Sequence, residues 1–542
     1  MPPAGMILIN GNIYTLDVKN PKAVGLAIRE GKILFAGTSE EALKYKTADT
    51  RVIDLNGKTV IPGLIESHGH FMAMGFNKME LDLHNIASFE ELVSKVSEAV
   101  AHAAPGQWIL GRGWHQSKWS HIPGETVNGF PTHRLLSSVS PDNPVFLYHE
   151  SGHGAMANAK AMEIAGVNRN TVYTGDGEIL KDKKGEPAGI FTEGAASLVE
   201  KYIPRPGPSE IRKAFHLAME ECLKNGISTF QDAGQGAETI SFYKTMLDSS
   251  EFKVRLYVMI LGSDTGFLDD YLRKGPEIGL HHDYLTIRSI KLFADGALGS
   301  RGAWLLQPYS DLPGHTGGPA EDSAFIYSVA LKGLKHGFQV CTHAIGDRAN
   351  REVLNIYEQA FREVPDAKDP RFRIEHAQHL SLQDIPRFAR LGVIASMQTI
   401  HLSSDRLWAI DRLGEERIRE GAYVWQKLLQ SGARVIDGTD VPVEPLDPIA
   451  NFYAAVTRKT LQGTPAGGYE PDQKMTREQA LRSYTLDAAF GAFEENKKGS
   501  IEPGKYADLT VLSQDLMTVP EDEILKTQVL MTIIDGKIAF SK

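Results

Sequence analysis

The middle of this 542-residue chain alternates short apolar runs with helical segments, and that alternation limits the fold more than any other feature. Eight runs read as strands: VIPGLIES, GISTFQDAG, KVRLYVMIL, IRSIKLFADG, FQVCTHAIG, RFRIEHAQ, GVIASMQ and ARVIDGTD. Helical patterns such as SEIRKAFHLAMEECLKNG and RANREVLNIYEQAFREV lie between most of them. Strand–helix alternation implies βαβ units and a parallel sheet, and eight such strands predict an α/β fold of the closed (β/α)8 TIM-barrel type. The first and second strands are separated by about 150 residues, far more than a βα loop of about 2–6 residues. That segment is expected to hold its own substructure, a small mixed α/β insertion over the barrel mouth. It ends in YIPRPGPSE, whose three prolines read as a linker.

Both termini look different from the middle. MILING, NIYTLD, AVGLAIRE, KILFAG and RVIDLN at the start, and ADLTVLSQD, VLMTIID and KIAFSK at the end, read as strands. Glu30-Gly31, Asn56-Gly57 and Asp535-Gly536 supply the positive φ of two-residue hairpin turns. The expected organisation is one β-domain built from both ends, residues 1–60 and 494–542, around a larger domain. The first barrel strand falls in 61–76, the insertion in 77–208, and strands two to eight with their helices in 209–493.

Composition excludes several functional classes. Hydrophobic residues make up 42% and charged residues 23%, which is ordinary for a folded globular chain and excludes disorder over most of it. A net charge of −10 without basic runs argues against nucleic acid or an anionic membrane as a partner and leaves a small-molecule substrate. Two cysteines, Cys222 and Cys341, cannot form a disulfide framework and fit a reducing compartment. No signal peptide and no membrane-spanning run is read, so the expected location is cytoplasmic. A homodimer is the default expectation for an oligomer.

In such barrels the chemistry sits at the C-terminal strand ends. Those ends carry His68 and His70, Lys291 and Asp295, His343, His376 and Asp440. His68 and His70 are two residues apart, so a strand points both to one face, where they can share a metal ion. By chance 18 histidines give about 0.6 such pairs in a chain of this length, so the weight lies in the other strand ends. Neutral imidazoles and carboxylates suit zinc, iron, manganese or nickel. His343 and His376 are candidates for a second ion; each alone also fits a buried histidine bonded to the backbone. Lys291 beside cations needs conversion to an anionic carbamate, or else it pairs with Asp295 or points outward. Asp440 fits a ligand that also accepts a proton from water, or a turn residue in GTDVP. Together these residues describe metal-assisted hydrolysis.

VIPGLIESHGH, IKLFADGALGSR, THAIGDRAN, RIEHAQHL, GVIASMQ, GTDVPVEPLDP and KGSIEPGKYADLTVL resemble the amidohydrolase superfamily over nearly the whole chain. More narrowly they resemble its YtcJ-like branch (amidohydrolase family 3), which includes N-substituted formamide deformylases. The resemblance implies a (β/α)8 barrel with a composite β-sandwich from both termini. It implies that His68, His70 and Asp440 hold one divalent metal ion, zinc first among the candidates. His343 and His376 hold a second, and carboxylated Lys291 bridges the two. Within the insertion, GRGWHQSKW carries His115 where the family has an acid, and SGHGAMAN carries Ser151 at an aspartate position. Candidates for substrate contact are Trp114, His153, Glu193, Asp295 and Arg301, with ordinary packing the alternative for Trp114 and an ion pair to Asp295 or Glu193 the alternative for Arg301. The expected activity is metal-dependent hydrolysis of a C–N bond in an amide, formamide or cyclic amide. Alternatives are a lactone or ester hydrolase, a decarboxylase on the same site, or a non-catalytic regulatory barrel.

Overall fold

In a computed structural model that describes residues 2–84, 86–116, 119, 121, 125–149, 154–175 and 177–542, the eight expected barrel strands are all present. They are β1 (Leu64–Gly69), β2 (Ile227–Gln235), β3 (Arg255–Leu261), β4 (Leu285–Phe293), β5 (Gln339–Ala344), β6 (Arg373–His376), β7 (Ile394–Met397) and β8 (Val435–Asp437). Each pairs in parallel with the next in chain order. The ring is completed just beyond β8: the Asp440 N–H donates to the His68 carbonyl at 2.8 Å, and the His70 N–H to the Val441 carbonyl at 2.7 Å.

The helices follow from their own patterns. Asp347–Glu363 buries Val353, Tyr357 and Ala360, spaced four and three residues apart, and leaves Asn355 and Gln359 in water. Each large apolar side chain so buried contributes about 1.5–3 kcal/mol of transfer free energy.

The run VIPGLIES is two strands rather than one. Thr59–Pro62 belongs to a terminal sheet and β1 to the barrel. The break falls at Gly63, whose N–H donates to the Asp508 carbonyl at 2.8 Å. A side chain there would place Cβ 2.7 Å from Ser228 Cβ, so only glycine lets the chain cross between sheets at this point.

Strands from both termini form two sheets. One has the order Lys32–Gly37, Gly25–Arg29, Met6–Ile9, Arg51–Asp54, all from the N-terminal end; the other runs Lys537–Ser541, Val529–Ile534, Leu509–Leu512, Thr59–Pro62, Asn12–Tyr14, Lys22–Ala23, joining three C-terminal strands side by side with three N-terminal ones. Leu8, Leu26, Ile28, Val60, Leu509 and Ile533 share one core, which makes a sandwich. Glu30-Gly31 and Asp535-Gly536 are hairpin turns between paired strands. Asn56-Gly57 has the same positive φ values but is not a hairpin, because Arg51–Asp54 and Thr59–Pro62 lie in different sheets. Glycine provides the turn; the pairing is decided elsewhere.

Residues 1–71 and 219–542 make one compact unit, and 72–218 make another. The second is mixed α/β. Its six-stranded sheet runs Ile179–Lys181, Pro187–Thr192, Gly154–Ala157, Val145–His149, Ile109–Trp114, Leu81–Asp82, with Phe89–His102, Arg134–Val139 and Ala159–Ala165 as helices. Among the described residues no helix is long and apolar enough to cross a membrane.

Candidate metal centre

The C-terminal ends of β1, β4, β5 and β6 and the turn after β8 bring His68, His70, Lys291, His343, His376 and Asp440 together. His68, His376 and Asp440 each present a ligand atom within 4.8 Å of the others. The His68 and His376 ring centres are 5.0 Å apart, and those of His343 and His376 are 4.5 Å apart. Asp440 Oδ1 lies 3.2 Å from His70 Nε2 and 3.6 Å from His68 Nε2. Lys291 Nζ is buried 3.1 Å from His68 Nε2 and does not pair with Asp295.

Two of these residues occupy costly backbone conformations. His376 has φ +75° and Asp440 φ +58°, left-handed values that cost a non-glycine residue about 1–3 kcal/mol. The backbone bond from Asp440 to His68 helps hold the second.

Partners fix which imidazole nitrogen is free. His68 Nδ1 bonds the Glu375 carboxylate, His70 Nδ1 lies 3.0 Å from the Ala233 carbonyl, and His376 Nδ1 lies 2.7 Å from Gln398 Oε1. Groups that only accept keep the hydrogen on Nδ1 and the lone pair on Nε2, the arrangement of a metal-binding histidine. Glu375 is itself gripped by Arg373, at 2.7 and 2.8 Å.

Electrostatics agree with this geometry. Burial, with Lys291 nearby, pushes the His68 pKa down to about 4 and that of His343 to about 3, and burial holds His376 well below its ordinary value. The rings are therefore neutral at pH 7, as a metal requires. Burial also lowers Lys291. For Asp440 burial acts to raise the pKa, but His70, His68 and His376 outweigh it and keep the carboxylate ionised. Burial likewise opposes ionisation of Glu375, and Arg373 and His68 overcome it.

These donors fit a divalent ion. Asp440 Oδ1 and His343 Nε2 are buried without a hydrogen-bond partner among the described residues. Leaving such atoms unpaired costs about 1–3 kcal/mol each, which a ligand would relieve. A set of imidazoles and a carboxylate is the chemistry of zinc, iron, manganese or nickel.

The remaining predicted residues lie elsewhere. Asp295 is buried and accepts the N–H groups of Ile345, Gly346 and Trp304 at 2.8–2.9 Å, tying the loop after β4 to the loop after β5. His343 Nε2 is 3.5 Å from the Asp295 carboxylate, and burial pushes the pKa of Asp295 up to about 7. Arg301 pairs with Asp311 at 2.8 Å, not with Asp295 or Glu193. Trp114 is packed in the core of residues 72–218, where its indole N–H donates to the Leu147 carbonyl at 3.0 Å. Glu193 opens a short 3-10 turn, Glu193–Ala196, at φ +46°. His153 and Ser151 lie outside the described residues. Sequence reasoning gave no role to Glu375 or Gln398; both sit within quoted motifs, but their histidine partners lie 307 and 22 residues away.

The sequence pattern of the amidohydrolase family matches residues 51–540. Protein LONG AFTER FAR-RED 3 of Arabidopsis thaliana is 34% identical, over 99% of this chain and 92% of its own length. The N-substituted formamide deformylase of Arthrobacter pascens is 28% identical, over 99% of this chain and 98% of its own. Among solved structures, an uncharacterized metal-dependent hydrolase from Pyrococcus furiosus superposes with a TM-score of 0.76 at 30% identity, covering 95% of this chain and 100% of that one.

Proposed function

The chain belongs to the amidohydrolase family, and on that premise we propose that this metal-dependent hydrolase cleaves a C–N bond of a small amide, formamide or cyclic amide. One observation carries the reading: the imidazoles of His68, His70 and His376, with their Nδ1 atoms already engaged and with His68 and His376 held neutral by burial, converge on an ionised, buried Asp440. The deformylase relative supports the choice of bond.

In this reading His68, His70 and Asp440 would hold one ion and His343 and His376 a second. Lys291, whose burial favours the neutral amine, could take up CO2 and as a carbamate would offer both ions an anionic oxygen donor. Zinc is the first choice, with iron, manganese or nickel suited to the same donors. When bound, such an ion would supply two things: a bound water whose pKa falls from ~15.7 to about 7, and polarisation of the scissile carbonyl. Asp440 accepts the proton of the attacking water and returns it to the leaving nitrogen. Asp295 holds the loops after β4 and β5 in register around His343. His153 and Glu193 are the insertion's candidates for contact with the substrate.

The test is elemental mass spectrometry on protein purified without added metal or chelator, followed by turnover of N-alkylformamides, acyclic amides and lactones. About two transition-metal ions per chain and release of formate and amine are expected. Lys291→Ala should lower the content to about one ion, with partial recovery in short-chain carboxylates. An unloaded protein that fails to rebind zinc or manganese in bicarbonate overturns the reading.

A further inference from the structure

β7 carries none of the proposed ligands, yet its C-terminal end lies against one of them. Gln398, the residue after β7, is buried with Oε1 2.7 Å from His376 Nδ1. The same amide donates its Nε2 hydrogen to the Ser396 carbonyl at 3.4 Å. This second contact fixes which way the amide faces. A backbone carbonyl only accepts, so the NH2 group must face Ser396 and the amide oxygen must face His376. That oxygen also only accepts, so the hydrogen of His376 must sit on Nδ1. The reversed amide would set two acceptor oxygens against each other and push the hydrogen of His376 onto Nε2, closing that atom to a metal.

We propose that Gln398 is a positioning residue that locks His376 in the Nδ1–H tautomer and so sets how tightly the centre binds metal. The proposal rests on the reading of His376 as a ligand.

The same contacts join two of the histidines. Ser396 uses its carbonyl for Gln398 and its hydroxyl for Arg373, whose guanidinium donates to Oγ at 2.9 Å. Arg373 holds both oxygens of Glu375, and Glu375 holds His68 Nδ1. One buried run of hydrogen bonds, centred on a β7 residue, therefore orients a ligand from β1 and a ligand from β6. β7 contributes orientation where its neighbours contribute donors.

Gln398→Leu removes the acceptor at nearly constant volume. Gln398→Glu restores one, whether ionised or neutral. The full-length metal-free proteins would be titrated with zinc against a fluorescent chelator. Ring-nitrogen NMR shifts of the metal-free chain would report the His376 tautomer, assigned by the signal lost in His376→Ala. Expected are an Nδ1–H ring in the wild type, a mixture or Nε2–H in Gln398→Leu with about 10–100-fold weaker zinc binding, and recovery of both in Gln398→Glu. An Nε2–H ring in the wild type, or zinc affinity unchanged in Gln398→Leu while His376→Ala loses an ion, overturns the proposal and leaves the ligand reading standing. Undiminished metal in His376→Ala overturns the ligand reading itself, and the proposal with it.

Discussion

The two poles of the barrel both bury charge, but they treat it in opposite ways. At the N-terminal pole the buried cations Arg255 and Lys498 each have a counter-charge in contact. Arg255, the first residue of β3, reaches both oxygens of Asp508 at 2.8 and 3.2 Å, donates to the His282 carbonyl, and lies over Tyr506. Lys498 meets Glu494 at 2.7 Å and Thr229 on β2 at 3.1 Å. At the C-terminal pole four imidazoles gather around Asp440, and His343 Nε2 and Asp440 Oδ1 have no hydrogen-bond partner among the described residues. A cluster of opposite charges in contact ties the barrel to the strands from the termini; a group of neutral imidazoles and a carboxylate with unpaired ligand atoms suits a bound ion.

That contrast can be broken by experiment. Asp440→Asn removes the proton acceptor without changing shape, and turnover by the metal-loaded enzyme should fall about 10²–10⁴-fold while the metal-free protein stays folded. Loss of the fold, read by calorimetry, would place Asp440 among the structural charges instead. Arg255→Leu strands Asp508 in the interior and should cost about 3–5 kcal/mol in denaturant unfolding, with the metal content of the folded fraction unchanged. A folded Arg255→Leu protein that no longer binds metal would erase the division between poles.

A smaller effect concerns pH. His68 and His343 titrate at about 4 and about 3 in the folded protein, against an ordinary value of 6.5. Between pH 6.5 and about 4 the unfolded chain binds more protons on these residues than the folded chain does. The metal-free protein should therefore lose stability as pH falls through that window, and His343→Asn should flatten the slope. Equal pH dependence in the two proteins would show that His343 is not held neutral by burial.

Much of this was legible in the sequence because it is local. Runs of apolar residues broken by helical periodicity identified the eight barrel strands, and the polar residues at their ends named the centre. The departures came where the decisive contact is distant. VIPGLIES splits at Gly63 because Ser228 and Asp508 press on it from elsewhere in the chain. Asn56-Gly57 turns as expected but joins strands in different sheets. Arg301 chose Asp311 over the two acids considered for it.

The sequence by itself determined the kinds of element, their order, and which side chains stand at the strand ends, since these follow from side-chain period and backbone preference within a few residues. Only the tertiary structure decided which nitrogen of each imidazole faces an acceptor and which buried polar atoms have no hydrogen-bond partner among the described residues. Those properties depend on acceptors brought from other strands: Glu375 for His68, Ala233 for His70 and Gln398 for His376. A histidine's tautomer is set by the group its second nitrogen meets, and that meeting exists only once the barrel has closed.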